Sequence, residues 1–165
     1  MKFTHLVQIN DITNPLIDTL TREQLWAGLK LRAKDPSQFV VGLDSFHVVT
    51  RNENELVREL RFGRLVVRDH VSFTPMSHVR YRIEPASEVP AATLVTTIEE
   101  PEPDQLFVRF EYDTKPLEGG PPVDPYYQQF VKDAYMEADI DAIRTIRRLV
   151  TEGKLGDPPP EGETH

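Results

Sequence analysis

From Leu43 to Thr114 apolar and polar residues alternate with a period of two, and only short breaks interrupt the alternation. No other feature constrains the chain as much, because alternate side chains along a strand line one face of a sheet. The stretch divides into strands at 43–50, 55–62, 65–74, 77–84, 91–100 and 105–114. The separators are Asn52-Glu53-Asn54, Gly63-Arg64, Thr74-Pro75-Met76, Pro85 to Pro90, and Pro101 to Asp104. Separators this short make hairpins, so an antiparallel meander is expected.

The flanks add one strand and two helices. Lys2 to Asn10 alternates, with Phe3, His5, Val7 and Ile9 on one face. Thr21 and Gln24 have capping-box spacing, and Leu25, Trp26, Leu29 and Ala33 repeat as a helical stripe that ends near Asp35-Pro36. Ser37 to Val41 reads as a second short helical turn. Asp124 caps a long closing helix with Pro125 at its first position, and Gly153 marks its end. The core-facing stripe expected on this helix is Tyr127, Val131, Ala134, Ala138, Ala142 and Leu149. Small residues in the middle of that stripe either pack very close to the sheet or leave a space.

The expected architecture is α+β: a seven-stranded, curved antiparallel sheet wrapped around the long C-terminal helix, with one or two short helices after the first strand. Closure is expected to pair the first strand with both the last and the second. Residues 1–153 read as a single domain and 154–165 as a flexible tail. Gly119-Gly120-Pro121-Pro122 is a hinge-like loop, a candidate gate or a plain connector.

Composition excludes several functions. The net charge of −8 argues against a nucleic-acid partner, which needs a basic face. With no cysteine, disulfides, thiolate zinc sites and cysteine nucleophiles are impossible. No apolar run reaches the ~20 residues of a membrane span, and the N-terminus lacks a secretory pattern, so a cytoplasmic protein is expected. No two histidines stand at helical i,i+4 spacing, no HExxH occurs, and no phosphate loop, dinucleotide fingerprint or GxSxG occurs, so neither metal nor cofactor is expected.

The Gly63-Arg64 hairpin gives the sharpest inference about a site. Gly-X is the composition of a two-residue type II′ turn. That turn sets Phe62 opposite Leu65, Leu60 opposite Val67, Leu56 opposite Val71, and Arg58 opposite Asp69, all on one face. Six of these eight residues are apolar, so the face is the inner one and carries a charged pair. A buried pair adds little net stability. It therefore reads either as a polar anchor for a ligand or, with the register shifted by one, as a cross-strand pair on a solvated edge. Tyr81, Phe110 and Tyr112 also point inward, and Ala134 and Ala138 are expected to face them across a cavity. A three-residue loop near Asn52 turns Phe46 and Val48 inward and His47 outward, and is preferred because it buries more apolar area. A two- or four-residue loop instead places His47 opposite Arg58. His5 reads as a hydrogen-bonded core residue before it reads as a catalyst.

The order of elements resembles the helix-grip fold of the START and birch-pollen-allergen superfamily, also called SRPBCC, over residues 1–153. The opening VQIND, the following LTREQLWAGLKLRAKDP, the meander and the Asp124-Pro125-Tyr126 helix start are similar to the AtaL-like branch. The resemblance implies a cavity between sheet and long helix that holds an apolar or amphipathic small molecule. The superfamily includes lipid carriers, hormone receptors, polyketide cyclases and aromatases, ubiquinone-binding proteins and chaperone activators. Three functions follow as expectations. The first is binding of a lipid, aromatic or polyketide-like ligand by a monomer or homodimer. The second is a cyclase- or aromatase-like reaction using Asp69, a tyrosine or His5 for proton transfer. The third is a protein-interaction module. A cone-shaped barrel of the nuclear-transport-factor type places its helices before the sheet, and the long final helix argues against it.

Overall fold

Gly63 adopts φ +60, and no other residue of its two-residue loop has positive φ, as a type II′ turn requires. It joins β3 (Glu55–Phe62) to β4 (Leu65–Thr74) in the register read from the sequence, with Leu56 opposite Val71, Arg58 opposite Asp69 and Phe62 opposite Leu65. The computed structural model describes residues 1–116, 119–120 and 124–155. The tail beyond Leu155 and Pro121-Pro122 of the expected gate lie outside the described residues.

The remaining strands are β1 (Lys2–Gln8), β2 (Ser45–Arg51), β5 (His78–Ile83), β6 (Ala92–Glu99) and β7 (Phe107–Thr114). All seven form one antiparallel sheet in the order β1-β7-β6-β5-β4-β3-β2. The first strand pairs with the last, but not with the second as expected: β1 and β2 are opposite edges. The chain bridges these edges with helix instead. Helix α1 (Arg22–Lys34) and a 3₁₀ turn at Pro36–Gln38 lie between these two strands in the chain.

Helix α1 starts with the capping box expected at Thr21 and Gln24. Its Leu25, Trp26, Leu29 and Ala33 are buried, and Trp26 meets Phe73 edge-on with ring centroids 6.5 Å apart. Each large side chain buried this way contributes about 1.5–3 kcal/mol. Gly28 lets α1 lie directly on the closing helix α2 (Pro125–Thr151), because a Cβ there would come within 2.6 Å of Ile146 Cγ2. Asn10 fastens the exit from β1, donating to the carbonyls of Leu20 and Asp104 and accepting from the Leu20 amide, each at 2.9 Å.

Helix α2 begins with Asp124 accepting from the Tyr126 amide. It ends in a Schellman motif: the Lys154 amide donates to Leu149 at 2.8 Å, the Gly153 amide to Val150 at 3.0 Å, and Gly153 sits at φ +73. The face it turns inward differs from the expected stripe. Asp139, Ala142, Ile143, Ile146 and Leu149 are buried, whereas Ala134 and Ala138 are exposed. Stepping back one turn from Asp139 reaches Tyr135, not either alanine. The expected stripe took its phase from small and apolar residues; the true phase runs through a buried carboxylate. Tyr127 is likewise exposed, as are Tyr126 and Phe130, so the first half of α2 covers the sheet far less than the second half does.

Candidate functional site

Between the sheet and the helices lie two clusters of polar side chains. The first is built on the Gly63 hairpin. Arg58 and Asp69 are each 4% exposed and form a bidentate pair, Nε to Oδ1 at 2.9 Å and Nη2 to Oδ2 at 2.5 Å. The third guanidinium nitrogen, Nη1, donates to the carbonyl of Ala33 at 2.9 Å. The same guanidinium packs 5.2 Å from the centre of the Tyr81 ring. Burial works against the Arg58 charge, but the bonds and charge of Asp69 outweigh it and hold the group above the ordinary arginine value. The pair thus ties β3 and β4 to the end of α1, and the reading that placed it on a solvated edge does not apply.

The second cluster spans β1, β7 and α2. Asp139 is 0% exposed. Its Oδ1 accepts the hydroxyl of Tyr112, and its Oδ2 lies 3.4 Å from Nδ1 of His5. The ring of Tyr112 stacks on Tyr135 with centroids 4.0 Å apart and planes 4° from parallel. Burial drives the Asp139 carboxyl above its ordinary range, and the Tyr112 bond and the Arg32 and His5 charges only partly offset it. Burial, and then the Asp139 charge, also raise Tyr112. A carboxyl held toward its neutral form in contact with a phenol and an imidazole can donate or relay a proton.

Sheet register relates the clusters. Phe3, Tyr112, Leu94, Tyr81, Val71 and Leu56 form one cross-strand row. Tyr112 and Tyr81 therefore flank Leu94, two strand spacings or roughly 10 Å apart. Arg32 of α1 stands over this wall, its guanidinium 5.8 Å from the Phe110 ring centre. Phe110 is fully buried in the middle of β7, paired with His5 of the edge strand β1.

Of the residues singled out from sequence, Arg58, Asp69, Tyr81, Phe110 and Tyr112 line this interior, and the exposed Ala134 and Ala138 do not share it. His47 is exposed and pairs with Glu59, while Phe46 and Val48 turn inward. The cause is not a three-residue loop. Asn52 donates to Glu55 at 2.9 Å across a two-residue turn, and a bulge at Val49 shifts the register. Sequence reasoning missed Arg32 and Asp139 altogether. Their signal was spacing: Arg32 follows Leu25 and Leu29 by seven and three residues, and Asp139 precedes Ile143 and Ile146 by four and seven. Among the described residues no group of His, Cys, Asp and Glu is arranged to hold a metal ion, and no helix is long and apolar enough to cross a membrane.

Comparison with known proteins matches residues 7–153 to the profile of the family described as AtaL, acetylaranotin biosynthesis cluster protein L. The chain belongs to the AtaL family. No curated protein matches it. Among solved structures, the AtaL-family chain is similar to the di-domain ARO/CYC StfQ from the steffimycin biosynthetic pathway, with a TM-score of 0.69 and 8% identity over 92% of this chain. That match covers 51% of StfQ, so the chain spans about half the length of that protein. It is also similar to the ZhuI aromatase/cyclase from Streptomyces sp. R1128, at TM-score 0.61 and 11% identity over 91% of this chain and 95% of that one. Ara h 8.0201 gives TM-score 0.62 at 11% identity, over 90% of this chain and 98% of the other. Identities this low show the shared fold alone. The AtaL-family chain has the helix-grip fold.

Proposed function

We propose that residues 1–153 act as one unit that binds an apolar or amphipathic small molecule between the sheet and α2. A lipid, an aromatic compound or a polyketide-like chain has the right character. The observation that carries this reading is the incomplete cover of the inner sheet face. Phe46, Val48, Leu65, Val67, Ile83 and Leu94 all point inward yet are only half-buried, and the half of α2 that begins at Pro125 is largely exposed. An apolar wall with a few fixed polar groups is the usual construction of a small-molecule site. Arg58 and Asp69 would hold the wall, and Tyr81 and Tyr112 would orient the ligand. The similar folds named above include aromatase/cyclases, which supports a ligand of this type.

A second reading is a cyclase- or aromatase-like enzyme using the same space. Asp139, in contact with Tyr112 and His5, supports it, because such a group supplies a proton donor beside an apolar wall.

The test is native mass spectrometry of freshly purified protein, solvent extraction of anything retained, and titration with apolar fluorophores such as 1-anilinonaphthalene-8-sulfonate. The expected result is a retained apolar molecule, or saturable dye uptake with a blue shift. Protein that retains nothing and takes up no dye overturns the binding reading. The native mass also distinguishes a monomer from a homodimer.

A further inference from the structure

Among the described residues, two buried side-chain atoms have no hydrogen-bond partner: Nη1 of Arg32 and the hydroxyl of Tyr81. Both belong to the same wall. Tyr81 is 7% exposed, and its ring is fixed from one side by the Arg58 guanidinium. Arg32 sits on the α1 residue before Ala33, whose carbonyl is held by Arg58. The clamp that holds Tyr81 therefore also sets where Arg32 stands.

The charge around these two donors is unbalanced. Arg58 and Asp69 neutralise each other through two direct bonds. Asp139 is pushed toward its neutral form by burial. Among the described residues, Arg32 has no carboxylate within salt-bridge distance. Its positive charge acts on Tyr81, Tyr112 and Asp139, and on Tyr81 it is the largest charge effect, ahead of that of Arg58. Burial holds the Tyr81 phenol in its protonated form, so its hydroxyl is available to donate. A buried donor left unpaired is costly, and a buried cation more so. A group that fits between a guanidinium and a phenol has to be an acceptor, and an anionic one balances the charge.

We infer that Arg32 and Tyr81 form the receiving site for an acidic oxygen of the bound molecule. The chemical class is a flat apolar body carrying a carboxylate, a phenolate or the enolate of a 1,3-dicarbonyl unit. The oxygen lies between the Arg32 fork and the Tyr81 hydroxyl, and the apolar body lies along Phe110 and Leu94. This inference rests on the proposed binding of an amphipathic small molecule and names the polar end of that molecule.

The experiment uses the full chain and two matched probes, 2-naphthoate and methyl 2-naphthoate, titrated by fluorescence at neutral pH. The probes share a ring system and differ in the charge at one end. The wild type is expected to bind the acid about tenfold or more tightly than the ester, as charge-assisted bonds require. Arg32→Met is expected to bring that ratio close to one, Arg32→Lys to restore part of it, and Tyr81→Phe to lower it severalfold. Tyr81→Phe is also expected to leave the melting temperature unchanged or higher, because it removes a hydroxyl that has no partner in the folded protein. Ester binding with no preference for the acid overturns this inference and leaves small-molecule binding standing. A preference that survives both Arg32→Met and Tyr81→Phe overturns it too. Failure to bind either naphthalene or any apolar dye overturns both readings together.

Discussion

The Arg58–Asp69 pair and the Asp139–Tyr112–His5 group are buried in the same wall, yet one is complete and the other is not. Arg58 spends two nitrogens on a carboxylate and the third on a backbone carbonyl, so charge and hydrogen bonds are both satisfied. Asp139 is equally buried but faces a phenol and an imidazole at 3.4 Å rather than a guanidinium fork. The first arrangement fixes a charge, whereas the second leaves a proton free to move. One end of the interior thus holds geometry, and the other carries exchangeable protons.

The largest effect should come from breaking the complete cluster. Arg58→Leu strands Asp69 in the interior and is expected to cost about 3–5 kcal/mol, read as a fall of roughly 10 °C in melting temperature. Arg58→Leu with Asp69→Leu should recover most of that loss. A double variant as unstable as the single would show that the two side chains are not coupled.

The incomplete cluster should respond to pH. Burial raises the folded-state pKa of Asp139 above its ordinary value of 3.8, so the folded protein holds this proton more tightly than the unfolded chain does. Its contribution is therefore most favourable below that ordinary value. It is lost as pH rises through the folded pKa, where the buried group must ionise. Asp139→Asn keeps an acceptor for Tyr112 and cannot ionise. It is expected to raise stability at neutral pH by about 1 kcal/mol and to flatten the fall of the denaturant midpoint as pH rises above the ordinary aspartate value. A variant that is less stable than wild type at pH 7 would mean that the carboxylate is compensated after all.

The smallest effect belongs to an ion pair outside both clusters. Glu99 and Arg109 pair on the outer face, each about a third exposed. Glu99→Gln should leave the melting temperature unchanged within error. A clear drop there would remove burial as the reason the interior pairs differ.

Parts of this wall were legible in the sequence. A glycine in a two-residue break between apolar alternations fixes a hairpin register, and from that register the Arg58–Asp69 pair followed; the inward direction of Tyr81 followed from the alternation of its own strand, shared with Val79 and Ile83. The phase of α2 was not legible by the same logic. Hydropathy treats Asp139 as a surface residue and Ala134 and Ala138 as inner ones, whereas burial here depends on the partners Tyr112 and His5, more than 25 positions distant along the chain. Arg32 was hidden for the same reason: it occupies a stripe position, and its charge outweighed its spacing. Closure of the sheet was misjudged because alternation sets which face a residue takes, not which strand is its neighbour, and β1 and β2 end as opposite edges. His47 came out on the right face for the wrong reason, since a bulge at Val49 has no composition signal of its own.

The glycine contact between α1 and α2 has a consequence in time as well as in space. Gly28 and Ile146 tie down only the second half of the closing helix, while Tyr126, Tyr127 and Phe130 in the first half remain in solvent. Amide protons from Ala142 to Leu149 should exchange with deuterium only through large openings of the fold, and those around Gln128 by local fraying. The helix is thus a cantilever. Its exposed end is expected to open on a timescale far shorter than unfolding, so the ligand proposed above would leave by bending one end of a helix rather than by dismantling a core.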